Sequence, residues 1–316
     1  MTREFDLRHH NSEKMKVLII VNPTAGRAKG KSSAELIRRA FRFRGCYCDS
    51  VITKTPLDAE RIVKDRAKEY DLIACSGGDG TLNETVNGLS GMKSCPPIAY
   101  LPSGTTNDFA SSLGLSTDIR QALRDTFGGT KRKLDLGSLN DRRFIYTASF
   151  GAFSESSYLT PQAMKNRLGR LAYKLECVRE LPMLRPCKMA VYDDSGMVSE
   201  GEYIFGAVSN STSIGGILRY SEDEVKLSDG LHEVLLIKKP KSPAMLAGII
   251  RALIVRDYSA DGIELFRAPH VRFECADNTR WTLDGERCDT GKIIDIKNIP
   301  SAVEFIVPQG AADMAG

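Results

Sequence analysis

Short apolar runs alternate with helical segments between residues 16 and 101, and this alternation decides which folds the chain can adopt. The apolar runs at residues 16–21, 48–53, 71–75 and 98–101 are predicted to be strands. Helices are predicted between them, the first opened by a capping box of Ser32 and Glu35 and closed at Gly45. Strands that alternate with helices form a parallel sheet covered on both faces. The sequence therefore predicts an α/β domain over residues 15–134.

Beyond Lys133 the pattern changes to short alternating runs separated by turns. This pattern is typical of antiparallel strands, and it predicts a mainly antiparallel β domain over residues 135–294. Two helices interrupt it, one from Pro161 to about Leu181 and one from Pro243 to about Val255, because proline is favoured at the first helical position. Residues 1–14 are polar and unpatterned, so they are predicted to be a disordered extension.

Composition excludes several classes of protein. A hydrophobic content of 42% with 27% charged residues is typical of a globular protein, and no run reaches the roughly 18–20 apolar residues that span a bilayer. The eight cysteines form no CxxC pair and the histidines show no zinc-binding spacing. Free thiols indicate a reducing compartment, so the predicted location is cytoplasmic, with peripheral attachment to the inner face of the membrane.

Three loops rich in glycine or small residues follow predicted strands of the α/β domain. They are Asn22-Pro-Thr-Ala-Gly26, Gly77-Gly-Asp-Gly-Thr-Leu-Asn-Glu84 and Pro102-Ser-Gly-Thr-Thr-Asn-Asp108. Ligands of parallel sheets bind at the carboxyl ends of the strands, and glycine lets the backbone approach a polyphosphate closely. The loops therefore indicate a nucleotide site, in which Asp79 is a candidate to hold Mg²⁺. A purely structural glycine turn and a helix cap at Asp108 are the alternatives.

Two carboxylates, Asp284 and Glu286, flank Gly285 near the end of the β domain. Phosphoryl transfer to an alcohol needs a proton acceptor near the attacking oxygen. Glu286 is the favoured acceptor, and Asp284 is expected either to orient it or to bridge to Mg²⁺. An ordinary acidic turn is the alternative.

The chain resembles the diacylglycerol kinase catalytic-domain family, which includes soluble bacterial lipid kinases and the sphingosine and ceramide kinases. The resemblance rests on the three loops, on Phe150-Gly-Ala-Phe153, on Lys226-Leu-Ser-Asp-Gly-Leu231 and on Leu283-Asp-Gly-Glu286. It implies a nucleotide-binding α/β domain, to which residues 295–308 return, joined to a β-sandwich. It implies ATP and Mg²⁺ as cofactors and a diacylglycerol-like lipid as the phosphate acceptor.

Site residues follow from the resemblance position by position. The residues predicted to be catalytic, from their chemistry and position, are Glu286, Asp284, Asp79 and Asp108. The implied nucleotide contacts are Asn22, Pro23, Thr24, Ala25, Gly26, Thr53, Gly77, Gly78, Asp79, Gly80, Thr81, Leu82, Asn83, Glu84 and Thr105. A structural Mg²⁺ is implied on the Asp229 side chain with the backbone carbonyls of Lys226 and Leu231, although a tight turn at Asp229-Gly230 is also expected.

The positively charged segments indicate which partners to expect. Residues 27–44 carry seven basic side chains and one acidic one, among them Arg38, Arg39, Arg42 and Arg44. Arg167, Arg170 and Lys174 add a basic rim to the helix from Pro161. These segments indicate contact with an anionic membrane, whereas nucleic acid is not expected because no aromatic platform accompanies the charge. A homodimer is left open.

Two other functions remain as alternatives. One is a kinase of the same superfold that phosphorylates NAD or another small molecule. The other is a catalytically silent nucleotide-binding regulator that docks on membranes, which the retained carboxylates disfavour. Residues 221–225 depart from the proline-containing pattern of many bacterial members, and this departure bears on the identity of the lipid.

Overall fold

The computed structural model describes residues 14–25, 30–105, 107–151, 185–210, 213–214, 218–219 and 228–309. They form two compact units, Met1–Leu136 with Pro300–Gly316 and Gly137–Ile299. Residues 1–13 of the predicted extension and the predicted helix from Pro161 lie outside the described residues. No helix within the described residues is long and apolar enough to cross a membrane.

The first unit has the predicted parallel sheet. Its strands are β1 (Lys16–Val21), β2 (Tyr47–Ile52), β3 (Leu72–Gly77) and β4 (Ile98–Pro102), in the order β4-β3-β1-β2. Strand β1 pairs in parallel with β2 and β3, and β3 pairs in parallel with β4. Strand β3 is buried along its whole length, because helices cover both faces of such a sheet.

Five α-helices accompany these strands in the part of the unit that the structure describes. They are α1 (Gly30–Phe43), α2 (Asp58–Arg66), α3 (Asp79–Gly88), α4 (Asp108–Ser112) and α5 (Ile119–Phe127). The predicted capping box is wrong, because α1 begins two residues before Ser32 and the Glu35 carboxylate pairs with Arg38 and Arg39, at 2.5 and 2.8 Å. Helix α5 was not predicted, although the Asp118 carboxylate caps it by accepting the N–H groups of its first turn.

The second unit is a mainly antiparallel β-sandwich. Strand β5 (Thr130–Leu139) leads into it from the first unit. The strands that follow are β6 (Arg142–Phe144), β7 (Thr147–Gly151), β8 (Cys187–Asp193), β9 (Gly196–Ser209), β10 (Ser213–Ile214), β11 (Leu218–Arg219), β12 (His232–Lys238), β13 (Ile263–Ala268), β14 (His270–Cys275), β15 (Arg280–Leu283) and β16 (Glu286–Asp289). The predicted helix from Pro243 is present as α6 (Pro243–Val255), capped by the Ser242 hydroxyl.

Long strands organise this unit. Strand β9 pairs with β8 through residues 196–203, and its later residues lie between β7 and β12, which in turn pairs with β13. The aromatic rings of Phe150, Phe273 and Trp281 form the centre of the core, with ring centroids 4.9–6.3 Å apart. Strand β17 (Ile293–Val307) pairs with β14 through its first residues and returns to the first unit, where Phe305 pairs with Ile98 of β4.

His270 bridges two aspartates at the start of β14. Its Nδ1 lies 2.7 Å from Asp194 Oδ1 and its Nε2 lies 2.5 Å from Asp295 Oδ1. Burial alone would lower the pKa of the imidazole, but the two carboxylates outweigh burial and raise it. A raised pKa in the folded state means that the charged imidazole stabilises the fold at pH values below the unfolded pKa of about 6.5, and that this contribution is lost as the pH rises through the folded pKa.

Replacement of His270 by glutamine is therefore expected to lower the free energy of unfolding at pH 6, by at most about 1 kcal/mol, and to change it little at pH 9. The measurement is urea unfolding of both proteins across this pH range. Comparison of the variant with the native protein separates the effect of His270 from that of Glu233. Glu233 also titrates in this pH range, because burial raises its pKa to about 7. A destabilisation of the variant that stays constant from pH 6 to pH 9 would contradict the charged bridge.

Candidate active site

The three predicted loops lie at the carboxyl ends of the strands in the first unit's sheet. Strands β1, β3 and β4 are adjacent and parallel, with Val21 opposite Ser76 and Gly77 opposite Pro102. Their carboxyl ends are therefore level, and the loops leave the sheet side by side. The Asn22 N–H donates to the Ser76 carbonyl at 2.9 Å, and the Ser103 N–H donates to the Gly77 carbonyl at 2.8 Å.

Gly78 and Gly104 bring two of these loops into direct backbone contact. A Cβ added to Gly104 would lie 2.6 Å from the Cα of Gly78, and one added to Gly78 would lie 3.3 Å from the Cα of Gly104. A side chain at Gly104 would thus collide with backbone, which cannot move aside as a flexible side chain can. The glycines predicted from the motif are required by this approach of the loops, independently of any ligand.

The first loop is tied to the start of α3 through side chains. The Asn22 Nδ2 donates to the Thr81 hydroxyl at 2.9 Å, and the Asn22 Oδ1 accepts from the N–H and hydroxyl of Thr24 at 3.0 and 2.8 Å. A Cβ on Gly77 would lie 2.5 Å from the Cβ of Thr81. Predicted contacts Asn22, Thr24, Gly77 and Thr81 therefore come together at the amino end of α3.

Asp79 lies where the second and third loops meet. Its Oδ2 accepts the backbone N–H of Asp108 at 3.0 Å, so Asp79 holds the start of α4. Its Oδ1 is buried and has no hydrogen-bond partner among the residues that the structure describes. Burial raises the pKa of this carboxyl, although backbone N–H groups of residues 107–109 oppose the rise. One oxygen of Asp79 thus fixes the loop and the other remains available for a ligand.

Asn107 is a site residue that sequence reasoning missed. It has a φ of 50°, and its side chain bonds both backbone polar groups of Gly104, with the Oδ1 accepting from the N–H at 3.0 Å and the Nδ2 donating to the carbonyl at 2.8 Å. Asparagine is one of the few residues that tolerate this left-handed conformation, and that preference was the available signal. Asn107 sets the shape of the third loop, and Asp108 follows it as the first residue of α4.

Glu84 points towards another helix. Its carboxylate accepts the N–H of Leu57 at 2.9 Å and that of Ala59 at 3.1 Å, so it caps the start of α2. Burial raises its pKa, while these two N–H groups lower it. The structure therefore places this predicted nucleotide contact where it positions the segment after β2.

The remaining predicted contacts are spread around the loop edge. Thr53 is buried and its N–H donates to the Val21 carbonyl at 2.9 Å, while Leu82 lies wholly in the core. The Asn83 side chain accepts from Asn87 at 3.0 Å, and Thr105 is exposed. Of the others within the described residues, Pro23 and Ala25 lie on the first loop, and Gly80 is the second residue of α3. Gly26 lies outside the described residues.

In the second unit, Asp284 and Gly285 form the two-residue turn between β15 and β16. Their φ angles are 49° and 86°, and Leu283 pairs directly with Glu286. Two central residues with positive φ are characteristic of the type I′ turn of a β-hairpin, for which Asp-Gly is a favoured sequence. The strand β16 was not predicted, although this dipeptide was the signal for it.

The Asp284 carboxylate accepts hydrogen bonds from three backbone N–H groups. It accepts the N–H groups of Ile145, Tyr146 and Thr147 at 2.7, 2.9 and 3.1 Å, and the residue is only 4% exposed. These bonds explain why the alternating run at residues 144–150 does not form one strand, so that β6 ends at Phe144 and β7 begins at Thr147. The chain between β6 and β7 turns its N–H groups to Asp284 instead of to a neighbouring strand.

Glu286 is the exposed carboxylate of this turn, on the first residue of β16. The two predicted carboxylates therefore lie in different environments. Asp284 is buried and holds the backbone, whereas Glu286 is accessible to a ligand.

The predicted cation ligands lie at the end of the second unit's strands that also carries the Asp284-Gly285 turn. Strands β12, β9 and β7 are antiparallel neighbours, and Ser209 of β9 pairs with Glu233 of β12 on one side and with Thr147 of β7 on the other. Asp229 has its Oδ1 bonded to the Leu231 N–H at 3.1 Å and its Oδ2 paired with Arg267. Lys226 lies outside the described residues. Within the described chain, no group of three or more His, Cys, Asp or Glu side chains is placed to hold a metal ion.

Comparisons with known proteins agree with these motifs. Residues 16–139 match the diacylglycerol kinase catalytic domain family, and residues 151–307 match the YegS C-terminal NAD kinase beta sandwich-like domain. A diacylglycerol kinase of Bacillus subtilis (strain 168) is 34% identical over 270 residues, which cover 85% of this chain and 88% of that protein. A diacylglycerol kinase of Staphylococcus aureus (strain MRSA252) is 32% identical over 70% of each chain.

A solved structure supports the fold. The crystal structure of a diacylglycerol kinase from Bacillus anthracis str. Sterne superposes with a TM-score of 0.75 at 24% identity, and the match covers 93% of this chain and 98% of that one. The identity to the Bacillus subtilis relative extends over most of both chains. The chain therefore belongs to the diacylglycerol kinase family, and it is a phosphotransferase of the kinase type.

Proposed function

We propose that this protein is an ATP-dependent lipid kinase, which transfers the γ-phosphoryl group of ATP to the hydroxyl of diacylglycerol or a related lipid alcohol. The observation that carries the proposal is the contact of Gly78 with Gly104 beside the open oxygen of Asp79. At this place a polyphosphate can approach the glycine backbone beside a carboxylate oxygen that has no hydrogen-bond partner among the described residues, in a chain whose relatives are named diacylglycerol kinases.

The nucleotide phosphates are assigned to the glycine loops. The first N–H groups of α3 have no partner within the helix, and they favour an anion together with the helix dipole. Gly78, the residue before α3, has an extended backbone and no side chain, so phosphate oxygens can approach these N–H groups closely. Asn22 and Thr24 border the same helix start and supply neutral hydrogen bonds.

The donors at this edge fit a magnesium ion that accompanies ATP. Asp79 would hold it, since its buried Oδ1 has no hydrogen-bond partner among the described residues and carboxylate oxygen is a preferred ligand of magnesium. When bound, the ion neutralises charge on the phosphate oxygens during transfer. Asp79 keeps its other oxygen on the Asp108 N–H, so the same residue also holds α4 in place.

Glu286 is assigned as the proton acceptor. The lipid hydroxyl oxygen forms a bond to the γ-phosphorus, the bond from that phosphorus to the ADP oxygen breaks, and the hydroxyl proton passes to the Glu286 carboxylate. The products are ADP and, from diacylglycerol, phosphatidic acid. Asp284 fixes the turn that carries Glu286, because its own oxygens are bonded to three backbone N–H groups.

Peripheral contact with an anionic membrane is part of the proposal. The Phe43 side chain is 90% exposed between Arg42 and Arg44, and exposed aromatic and basic residues favour the surface of an anionic bilayer. Arg38 and Arg39 both pair with Glu35, the one acidic residue of this segment, which leaves Arg42 and Arg44 as its basic residues beside Phe43. Helix α1 ends near the amino ends of the strands, on the side of the sheet away from the loops. The second basic set lies outside the described residues: Arg167, Arg170 and Lys174.

The experiment offers γ-labelled ATP and a panel of acceptors to the purified protein. Diacylglycerol, ceramide, sphingosine and NAD are tested separately, with each lipid presented in vesicles of either phosphatidylglycerol or phosphatidylcholine. We expect labelled phosphatidic acid as the main product. Its rate of formation should be higher on phosphatidylglycerol and should fall as salt shortens the Debye length.

Labelling of NAD with no labelled lipid would overturn the lipid assignment. Absence of transfer to any acceptor, with ATP still bound, would instead support the silent regulator. Equal rates on both vesicles at all salt concentrations would refute the electrostatic membrane contact while leaving the kinase assignment intact.

A further inference from the structure

The family resemblance implies a structural Mg²⁺ beside the turn at residues 228–231, and the described residues there are already bound to other groups. The Asp229 carboxylate is the expected side-chain ligand. Its Oδ1 accepts the Leu231 N–H at 3.1 Å, and its Oδ2 accepts from the Arg267 guanidinium. Both oxygens of the expected ligand therefore have donors from within the protein.

Arg267 also contacts a second carboxylate. It lies on β13 directly opposite Glu233 of β12, and its Nε is 3.2 Å from Glu233 Oε1. Glu233 is only 3% exposed, and the Arg267 charge favours its ionised form against burial, which raises the pKa of this carboxyl. The guanidinium thus bridges Asp229 and Glu233. Among the described residues after residue 227, these two acidic side chains are the nearest to the turn in sequence.

The second predicted ligand also accepts a hydrogen bond. The Leu231 carbonyl accepts from the Asn298 Nδ2 at 3.4 Å. A magnesium ion requires several oxygen atoms at about 2.1 Å in octahedral geometry and is repelled by a guanidinium among its ligands. The described residues at this turn therefore do not fit a resident magnesium ion.

We propose that Arg267 is the resident cation of this turn. Its planar guanidinium, which offers several N–H donors in a fixed geometry, holds Asp229 against β13 and neutralises Glu233. It thereby does what the family resemblance assigns to a structural Mg²⁺, and the second unit folds without a metal at this position. The inference is independent of the proposed kinase activity and of the magnesium that accompanies ATP.

The test measures the melting temperature of the nucleotide-free protein in EDTA, in MgCl₂ and in CaCl₂. The native protein should melt at the same temperature, within about 1 °C, in all three. Replacement of Arg267 by methionine keeps the aliphatic stem and removes the charge, and it should lower the melting temperature in EDTA by roughly 5–10 °C, as loss of the partner of a buried charge does. Mg²⁺ or Ca²⁺ should restore part of this loss in a saturable manner, because the two carboxylates are then open.

Two further variants keep the test decisive. The double variant Arg267→Met, Asp229→Asn should lose the response to divalent ions. The matched control is Arg272→Met, since Arg272 lies on the neighbouring strand β14 in an exposed ion pair with Glu274 at 2.7 Å, and it should change the melting temperature little in any buffer.

A saturable rise of several degrees in the native protein with Mg²⁺, abolished by Asp229→Asn, would overturn the proposal and restore the metal site. An Arg267→Met protein as stable as the native one in EDTA would also overturn it. If Arg267→Met fails to fold, the native protein and Asp229→Asn still decide the matter: equal melting of each in EDTA and in MgCl₂ supports Arg267 as the resident cation.

Discussion

Replacement of Glu286 by glutamine is expected to lower kcat for lipid phosphorylation by about 10²–10⁴-fold, the usual contribution of a general base. Glutamine keeps the size and hydrogen-bonding shape of the side chain but cannot accept the proton of the attacking hydroxyl. Because Glu286 is exposed, the melting temperature should not change. The KM for ATP should also stay close to that of the native protein. Initial rates at saturating ATP and diacylglycerol give the comparison.

The matched control is Asp289→Asn. Asp289 is an exposed carboxylate three residues further along β16, where it pairs with Arg287 at 2.8 Å. Removal of its charge should leave kcat within about twofold of the native value, as is usual for an exposed ion pair. Equal losses in both variants would indicate a general effect of charge on this strand. A Glu286→Gln protein with normal kcat would exclude Glu286 as the proton acceptor.

Replacement of Asp284 by alanine is expected to destabilise the protein by roughly 3 kcal/mol or more, since it leaves three buried N–H groups without acceptors, at about 1–3 kcal/mol each. Alanine also lacks the tolerance of aspartate for a φ of 49°. In a chain of this size the melting temperature should fall by roughly 6–12 °C, which calorimetry measures directly. The turnover should fall with it, because the turn that carries Glu286 loses its anchor.

Asp284→Asn separates positioning from metal binding. Asparagine keeps the left-handed turn and one acceptor oxygen, so its loss of stability should lie between those of the native and alanine proteins. If Asp284 only positions the turn, the Mg²⁺ concentration that gives half-maximal activity should be the same in Asp284→Asn and in the native protein. A variant with native stability and a strongly raised requirement for Mg²⁺ would contradict the positioning role.

The fold class and the loop edge could be predicted because their signals are local. Each strand of the first unit is a continuous apolar run, and a regular alternation with helices leaves few arrangements other than a parallel sheet. The positions of the glycine loops then follow, since they stand directly after the strands. The required closeness of Gly78 and Gly104 is the physical reason that the motif is recognisable.

The roles of the carboxylates could not be predicted, because they depend on contacts between distant parts of the chain. Asp284 bonds residues 145–147, which lie about 140 positions earlier, and nothing in the local sequence distinguishes its environment from that of Glu286. Glu84 reaches the start of α2 in the same way, 25–27 positions away. Asp229 meets Arg267 only because β12 and β13 are paired.

The return of β17 to the first unit has a consequence for how the protein is made. Its last residues place Phe305 beside Ile98 of β4, with the ring centroids of Phe305 and Phe109 5.4 Å apart, so the core of the first unit is incomplete until they are present. A ribosome delivers residues 14–136 first and residues 300–307 only after the whole second unit has emerged. The second unit can therefore fold during synthesis as a continuous segment. The first must wait, and until β17 arrives the edge of β4 is open to pairing with strands of other chains.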